Sequence, residues 1–578
     1  MFSDSYSSAI LGMEACVIHV EADVSDGLPI FQLVGFLASE VKEAKERVRI
    51  SIRNSGYKIP AKRITVNLSP ADIHKEGTAF DLAIACAVLS GLGILMEAGL
   101  KHTMLIGELG LNGNVCAVNG VLPIIYEAKK QGFSHAIVPY DNRREAGMVE
   151  GIEVLGAKTL SEAVGAIQRI ALGEPFCMKK ADESGKEPRE ENRGESKRRL
   201  PGRKYCEEKI NSRGETVEKP KECLDFADVY GQELLKRAVE VAAAGMHNLL
   251  ISGPPGTGKS MIAKRIPGIL PEPDFSESME ISKIYSIAGL LDKEQFFITE
   301  RPFRSPHHSI TESALVGGGR YPKPGEVSLA NGGVLFLDEL AEFPRRNIEL
   351  LRQPLEDGYV TIARLSNSYR YPCHTMVVGA MNPCPCGFYP DRNRCRCTTA
   401  QIRRYQGKLS QPFLERMDLC VEAVPVNYEE IHFAKEYGRA EKGNKSGKVS
   451  KSEKIDTISK IDAINAAKKP ESTENIRRRV CKAQEIQKKR FFGSGIHYNS
   501  EMNSRQVERY CPLEDTLKVY MKEIYVRYEF SMRACHKLLK VARTIADLSG
   551  AEEIQREHLE EAFSYRMFRL DGMESEVV

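Results

Sequence analysis

The sequence predicts an α/β protein built in three parts, and three observations predict it. Short β-rich runs alternate with helical patterns through the first 175 residues. An apolar strand, a Gly-rich loop and a helix follow one another near the middle of the chain. The C-terminal block carries helical periodicity without a strand signal. At 578 residues the chain exceeds what one core supports, so two or three domains are expected. The polar stretches 176–222 and 438–472 hold too little apolar surface to offset ordering entropy, and read as a charged linker and a low-complexity insertion. They set off an N-terminal domain at 1–175, a central domain at 223–437 and a helical domain at 473–578.

Composition narrows the class. With 42% hydrophobic and 28% charged residues the chain is ordinary for a soluble globular protein. Its longest apolar run, 83–96, is too short for a membrane span and contains glycines, so no membrane partner is expected. The start, MFSDSYSSAI, lacks the basic and apolar regions of a signal peptide, and a cytoplasmic location is expected. A net charge of +3 is too near balance to announce a nucleic-acid binder, so any such role must come from local patches.

In the N-terminal block ACVIHVEADV, RITVNLS, HAIVP and IEVLGA read as strands. Val41, Ala44, Val48 and Ile52 recur at helical spacing until Gly56 stops the helix. The central block opens on HNLLI followed by Gly253, Pro254, Pro255, Gly256, Thr257, Gly258, Lys259 and Ser260, the pattern G-x-x-x-x-G-K-[ST] in its required strand-to-helix context. The glycines let successive N–H groups converge on phosphates, Lys259 would reach the β and γ phosphates, and Ser260 would ligate Mg²⁺. These residues make ATP and Mg²⁺ the expected cofactors.

Downstream, GGVLFLDELAEF places Asp338 and Glu339 at the C-terminal end of a buried strand, Val334 to Leu337. Asp338 would hold Mg²⁺ and Glu339 would polarise the attacking water. The next strand, HTMVVGAMN, ends at Asn382, which either orients that water or merely forms a turn before Pro383. Arg416, in PFLERMDLCVEA, and Arg533, in SMRACHKLLKV, suit stabilisation of a transferred phosphoryl group, although each read alone is an ordinary surface arginine.

Directly after Asn382, Cys384, Cys386, Cys395 and Cys397 form two Cys-x-Cys pairs across a turn-rich segment. Four thiolates there suit a structural Zn²⁺ site, against the alternative of a metal-free surface loop. Two further segments suggest substrate contacts: the Gly-, Pro- and His-rich loop 301–333, and the hairpin pattern VTIARLSNSYRYP. From them Arg304, Arg320, Arg364, Tyr369 and Arg370 are candidates to meet phosphates or stack on bases, or are simply interface residues. The basic run IRRRVCKAQEIQKKR reads as either a contact patch or a solvated helix face.

The order GPPGTGKS, LFLDE, GAMN, ERMDL and Ser-x-Arg before an apolar helix resembles the AAA+ ATPases of the magnesium-chelatase-like branch, and within it the YifB/ComM family. The resemblance spans nearly the whole chain except the two polar stretches. It implies an AAA+ P-loop NTPase domain with a helical lid. Asn382 would be sensor 1, Arg416 a finger reaching a neighbouring subunit's ATP, and Arg533 sensor 2. The resemblance also implies a homo-oligomeric ring, a hexamer, since a finger that acts in trans requires a neighbour. It also implies a motor acting on single-stranded or branched DNA, in helicase or branch-migration steps of recombination or natural transformation. A magnesium-chelatase motor subunit and a protein-remodelling ATPase are the alternatives. The N-terminal KEGTAFDLAIACAVLSG and the segment from IGELGLNGNV resemble the proteolytic domain of Lon proteases, a fold like domain 2 of ribosomal protein S5. At the positions matching the Lon serine and lysine this chain has Ala79 and Leu122, so a non-catalytic domain without protease activity is expected.

Overall fold

The computed structural model describes residues 1–174, 224–291, 296–319, 322–363, 368–425 and 471–566. The N-terminal domain is a seven-stranded mixed sheet of β1 (Phe2–Leu11), β2 (Glu14–Ser25), β3 (Phe31–Val34), β4 (Arg63–Ser69), β5 (Thr103–Leu105), β6 (His135–Pro139) and β7 (Glu153–Ala157), in the order β3-β4-β2-β1-β5-β6-β7. Helix α1 (Ser39–Asn54) buries the predicted Val41, Ala44, Val48 and Ile52. Helix α2 (Asp81–Gly91), apolar nearly all round, is buried along its whole length. Strand β1 carries no apolar alternation because serines face the core. Ser3 Oγ donates to the Ala87 carbonyl at 2.6 Å and Ser5 Oγ to that of Ala83 at 3.0 Å, so the hydroxyls bond to helix carbonyls instead of packing. Helix α3 (Val121–Lys130) packs on the side of the domain that faces the central one.

The central domain is a five-stranded parallel sheet of β8 (Leu249–Ser252), β9 (Phe303–Arg304), β10 (Val334–Leu337), β13 (Met376–Met381) and β14 (Leu419–Glu422), in the order β9-β10-β13-β8-β14. The hairpin β11 (Tyr359–Ala363) and β12 (Ser368–Pro372) stands apart from it. The buried runs LLIS, VLFL and MVVGAM are apolar on both faces, as strands covered on both sides must be. Helices α4 (Glu233–Gly245), α5 (Phe275–Ala288), α6 (Arg352–Asp357) and α7 (Thr399–Gln406) flank it. In the C-terminal domain α8 (Thr473–Arg490), α9 (Asp515–Arg527) and α10 (Met532–Ser549) share one apolar core with the sheet and α4. The long periodic run of this domain is two helices. Glu529 sits at φ +50 between them, and Ser531 caps α10 by accepting from Ala534 N.

The N-terminal domain docks on the central one through α3 and α5. Buried Glu145 accepts from Leu122 N at 3.0 Å and from Ser286 Oγ, while Gly120 N donates to the Ser286 carbonyl at 3.0 Å. Beside them Lys283 Nζ lies 3.3 Å from the Tyr126 ring centroid. Burial, then the nearby Lys130, pushes the Lys283 ammonium down to about 8, against the opposing pull of Glu127 and Glu280. A base lowered in the folded state leaves the unfolded chain binding more protons between that value and its free value of about 10.4, so stability rises with pH across that window. Lys283→Met is expected to remove this rise and to gain stability near neutral pH. Denaturant unfolding of both proteins across that range measures the difference.

Candidate functional site

The phosphate loop leaves β8 at Ser252 and turns into the helix beginning at Lys259. Gly256 and Gly258 take φ of +80 and +85, values that a side chain would strain, and these turn the loop around a central space. Lys259 is buried. Its Nζ donates to the carbonyls of Gly253 at 2.7 Å and Pro254 at 2.9 Å, and to Asn382 Oδ1 at 3.2 Å. Burial pushes this ammonium down from its ordinary range, with Asp338 opposing, and a bound polyphosphate is what would favour its charge.

Ser260 Oγ donates to Asp338 Oδ2 at 2.7 Å, so the hydroxyl and carboxylate expected to share a cation already meet. Asp338 Oδ1 accepts from the Glu339 N–H at 3.0 Å. Glu339 itself adopts φ +50, which swings its carboxylate out of the strand, and its side chain is 61% exposed. His308 Nδ1 lies 3.4 Å from Glu339 Oε2, a contact that the sequence pattern gave no means of finding. Strand β13 lies between β10 and β8, and this order alone brings Asn382, Asp338 and Lys259 to one edge.

The two arginines are elsewhere. Arg416 precedes β14, whose Leu419 is in parallel register with Leu249 at the start of β8, whereas the phosphate loop follows the end of β8. A four-residue strand, roughly 13 Å, separates the two edges. Arg416 is buried. It bonds the Arg352 carbonyl at 3.2 Å and pairs with Glu356 at 2.6 Å. Arg533, at the start of α10 and 51% exposed, pairs with the same Glu356, also at 2.6 Å. Both therefore line the far edge together, in a cavity of about 690 Å³ that also contains Asp418, Lys537 and Lys540. Glu356 joins them, and no local pattern in the sequence marks it.

The four cysteines do converge. Their sulfurs lie within 4.8 Å of one another, with Cys384–Cys386 at 3.3 Å, Cys386–Cys395 at 3.6 Å and Cys384–Cys395 at 3.8 Å. A tetrahedron with 2.3 Å metal–sulfur bonds has edges of about 3.8 Å, so the set has the right size for Zn²⁺. Tyr389 N–H points at Cys384 Sγ from 3.4 Å. The loop also touches the phosphate loop. Gly387, at φ +84, lies so close that a Cβ there would stand 2.6 Å from Pro255 Cδ.

Of the other contact candidates, Arg304 is held by Glu326 at 2.6 and 2.7 Å and Tyr369 is buried in the core. Arg370 is exposed, its guanidinium 3.9 Å over the Tyr359 ring. Arg320 and Arg364 lie outside the described residues. The basic run on α8 is mostly a solvated, ion-paired face. Arg477 meets Glu272, Arg479 meets Glu240 and Glu471, and Arg490 meets Asp547. In the N-terminal domain, Leu122 is fully buried and Ala79 packs against the same apolar cluster, so the two positions matching the Lon serine and lysine carry hydrocarbon side chains. No helix among the described residues is long and apolar enough to cross a membrane.

A parallel sheet in this strand order, carrying a phosphate loop, an Asp-Glu strand end and a polar strand end between them, defines an AAA+ ATPase. Residues 225–431 match the family model for magnesium chelatase, subunit ChlI, residues 20–142 that for subunit ChlI of Mg-chelatase, and residues 470–566 that for the subunit ChlI C-terminal region. The chain is 38% identical over 568 residues to competence protein ComM of Haemophilus influenzae, covering 98% of this chain and 97% of that protein. It is also 38% identical over 562 residues to YifB of Escherichia coli, covering 97% and 96%. It belongs to the ComM/YifB family of magnesium-chelatase-like AAA+ ATPases. A shorter likeness, 30% over 131 residues, links 22% of the chain to 23% of Lon protease 2 of Bacillus subtilis.

ATP and Mg²⁺ fit the donors assembled here. Lys259→Ala is expected to abolish ATP binding in a fluorescent-nucleotide titration. Glu339→Gln is expected to keep binding but lower hydrolysis by about 10²–10⁴-fold, the usual worth of a general base.

Proposed function

We propose that this chain is the subunit of an ATP-hydrolysing ring motor, a hexamer, that acts on DNA in helicase or branch-migration steps of recombination, including natural transformation. The observation that carries the ring is the position of Arg416 and Arg533. Both stand on the sheet edge opposite the chain's own phosphate loop, bridged by Glu356. An arginine that serves γ-phosphate from there serves a neighbour's. Each site is then completed by two chains, and hydrolysis waits on assembly.

In the assembled site Lys259 neutralises phosphate charge, and Ser260 with Asp338 would hold a Mg²⁺ ion, which would supply further charge neutralisation. Glu339 takes the proton of the attacking water while Asn382 orients that water. Arg416 and Arg533 of the adjoining chain leave Glu356 for the charge that develops during transfer. The DNA substrate is supported by a nearly full-length relative that carries the name of a competence protein, and by exposed Arg370 on the hairpin. ATP hydrolysis is expected to rise several-fold with single-stranded or branched DNA. Wild type, but not Glu339→Gln, is expected to move a labelled four-way junction to product. Equal ATPase rates with and without DNA, together with no DNA binding, would remove DNA as the substrate.

The cysteine loop is proposed to hold one structural zinc ion through Cys384, Cys386, Cys395 and Cys397, fixing the chain that leaves Asn382 and leans on Pro255. Metal analysis should find about one zinc per chain. Cys386→Ser should lose it and raise the KM for ATP, whereas a full zinc complement in the variant would show that the four thiols are not the ligands.

A further inference from the structure

The cysteine loop has a surface that the clamp role leaves unused. Between Cys384 and Lys408 the chain carries Arg392, Arg394, Arg396, Arg403, Arg404 and Lys408 against the single carboxylate of Asp391. All six are exposed. Lys408 meets Glu342 at 3.0 Å, but none of the five arginines has an acidic partner among the described residues. On α8, by contrast, Arg477, Arg479 and Arg490 each meet a carboxylate. Even a four-thiolate zinc centre, with net charge of about −2, leaves this surface positive.

The patch also offers flat surfaces. The Arg392 guanidinium lies 5.0 Å from the Tyr389 ring and that of Arg394 lies 4.1 Å from Phe388, both rings half-buried at the edge of the loop. Arg403 and Arg404 follow on α7, whose other face packs Ile402 among the cysteines. Guanidinium groups beside stacked rings, with no acid among them, match a flexible polyanion that carries π-faces.

The patch is tied to the nucleotide site at two points. Gln406, at the end of α7, donates to the Pro383 carbonyl at 3.1 Å, next to Asn382. Gly387, within the loop, presses on Pro255 of the phosphate loop. A load on the arginines therefore reaches both the residue that reads γ-phosphate and the loop that holds it.

We propose that the exposed face of the cysteine loop and α7, carried by Arg392, Arg394, Arg396, Arg403 and Arg404, is a single-stranded nucleic-acid contact that couples strand binding to the nucleotide site through Asn382 and Pro255. The proposal rests on the reading of this chain as a DNA motor and adds where the strand is gripped. The test compares wild-type full-length protein with Arg396→Ala/Arg403→Ala/Arg404→Ala, three exposed side chains outside the nucleotide site. It measures anisotropy of a labelled oligo-dT strand between about 50 and 200 mM salt, and ATPase with and without that strand. Basal ATPase and zinc content should be unchanged. Removing three phosphate contacts should make the slope of log affinity on log salt shallower by about 2, and the strand-stimulated ATPase should fall several-fold. Lysines at the same three positions should restore the slope. Strand binding and stimulation equal to wild type in the alanine variant would overturn the proposal, with the motor reading intact. Weakened binding that follows from loss of the ring, seen by mass photometry, would make the patch a subunit contact and overturn it too. Loss of binding to anionic vesicles with oligo-dT binding kept would assign it to a membrane surface. Wild type that binds no strand at all would remove the motor reading and this contact together.

Discussion

The buried pair of Asp418 and Lys537 is the interaction on which the working geometry depends. Asp418 accepts from Lys537 Nζ at 2.7 Å and from the Asn248 N–H at 2.9 Å, with His247 3.7 Å away. Burial alone would raise this carboxyl, but Lys537 and His247 hold it well below the usual carboxylate range. One residue thus joins β14, the entry to β8 and the lid helix α10. The same ammonium donates to the Arg416 carbonyl at 2.7 Å, and Arg533 stands one helical turn before Lys537. Removing either member would leave a buried charge alone, at about 3–5 kcal/mol. That cost is what keeps the lid from drifting, and a fixed lid is what lets two arginines 117 positions apart in sequence share Glu356.

What the sequence made legible follows from how local each feature is. The phosphate loop, the Asp-Glu strand end and the cysteine pairs are contiguous, and their spacing carries their chemistry. Strands buried on both faces announce themselves by unbroken apolar runs, and α1 by its period. The serine-bearing β1 does not, because its inward side chains hydrogen-bond to helix carbonyls where apolar ones would pack. Glu356, Lys537 and Gly387 were illegible for a different reason. Each acquires its meaning from a partner far along the chain: Arg533, Asp418 and Pro255 respectively. Charge runs mislead in the same way, since the basic stretch on α8 gives no sign that Glu240, Glu272 and Asp547 are waiting for it.

The N-terminal domain illustrates a site position put to another use. Leu122 occupies the position matching the Lon lysine, and its amide donates to Glu145, whose carboxylate also receives Ser286 of the central domain. Next to it Asn119 and Gly120 abut Gly289 and the Ser286 carbonyl. The segment that would carry a catalytic base is here a docking surface, and hydrocarbon at Ala79 and Leu122 suits packing where a serine and a lysine would demand polar partners.

The cysteine loop joins these themes, because it touches both parts of the nucleotide site. Asn382 stands two residues before Cys384, and Gly387 has no room for a side chain against Pro255. A free loop of this composition, rich in turn formers and arginine, would fluctuate. A zinc ion held by the four sulfurs, which lie within 4.8 Å of one another, would remove that freedom while leaving the arginines outside. Rigidity matters here because Lys259 shares its bonds between the phosphate loop and Asn382, so a small displacement of the strand end changes what the ammonium sees. A stiff loop passes on a displacement that a soft one would absorb. The zinc reading and the strand contact are therefore linked: a zinc clamp would make the loop a lever, and the arginines are where a strand would press on it.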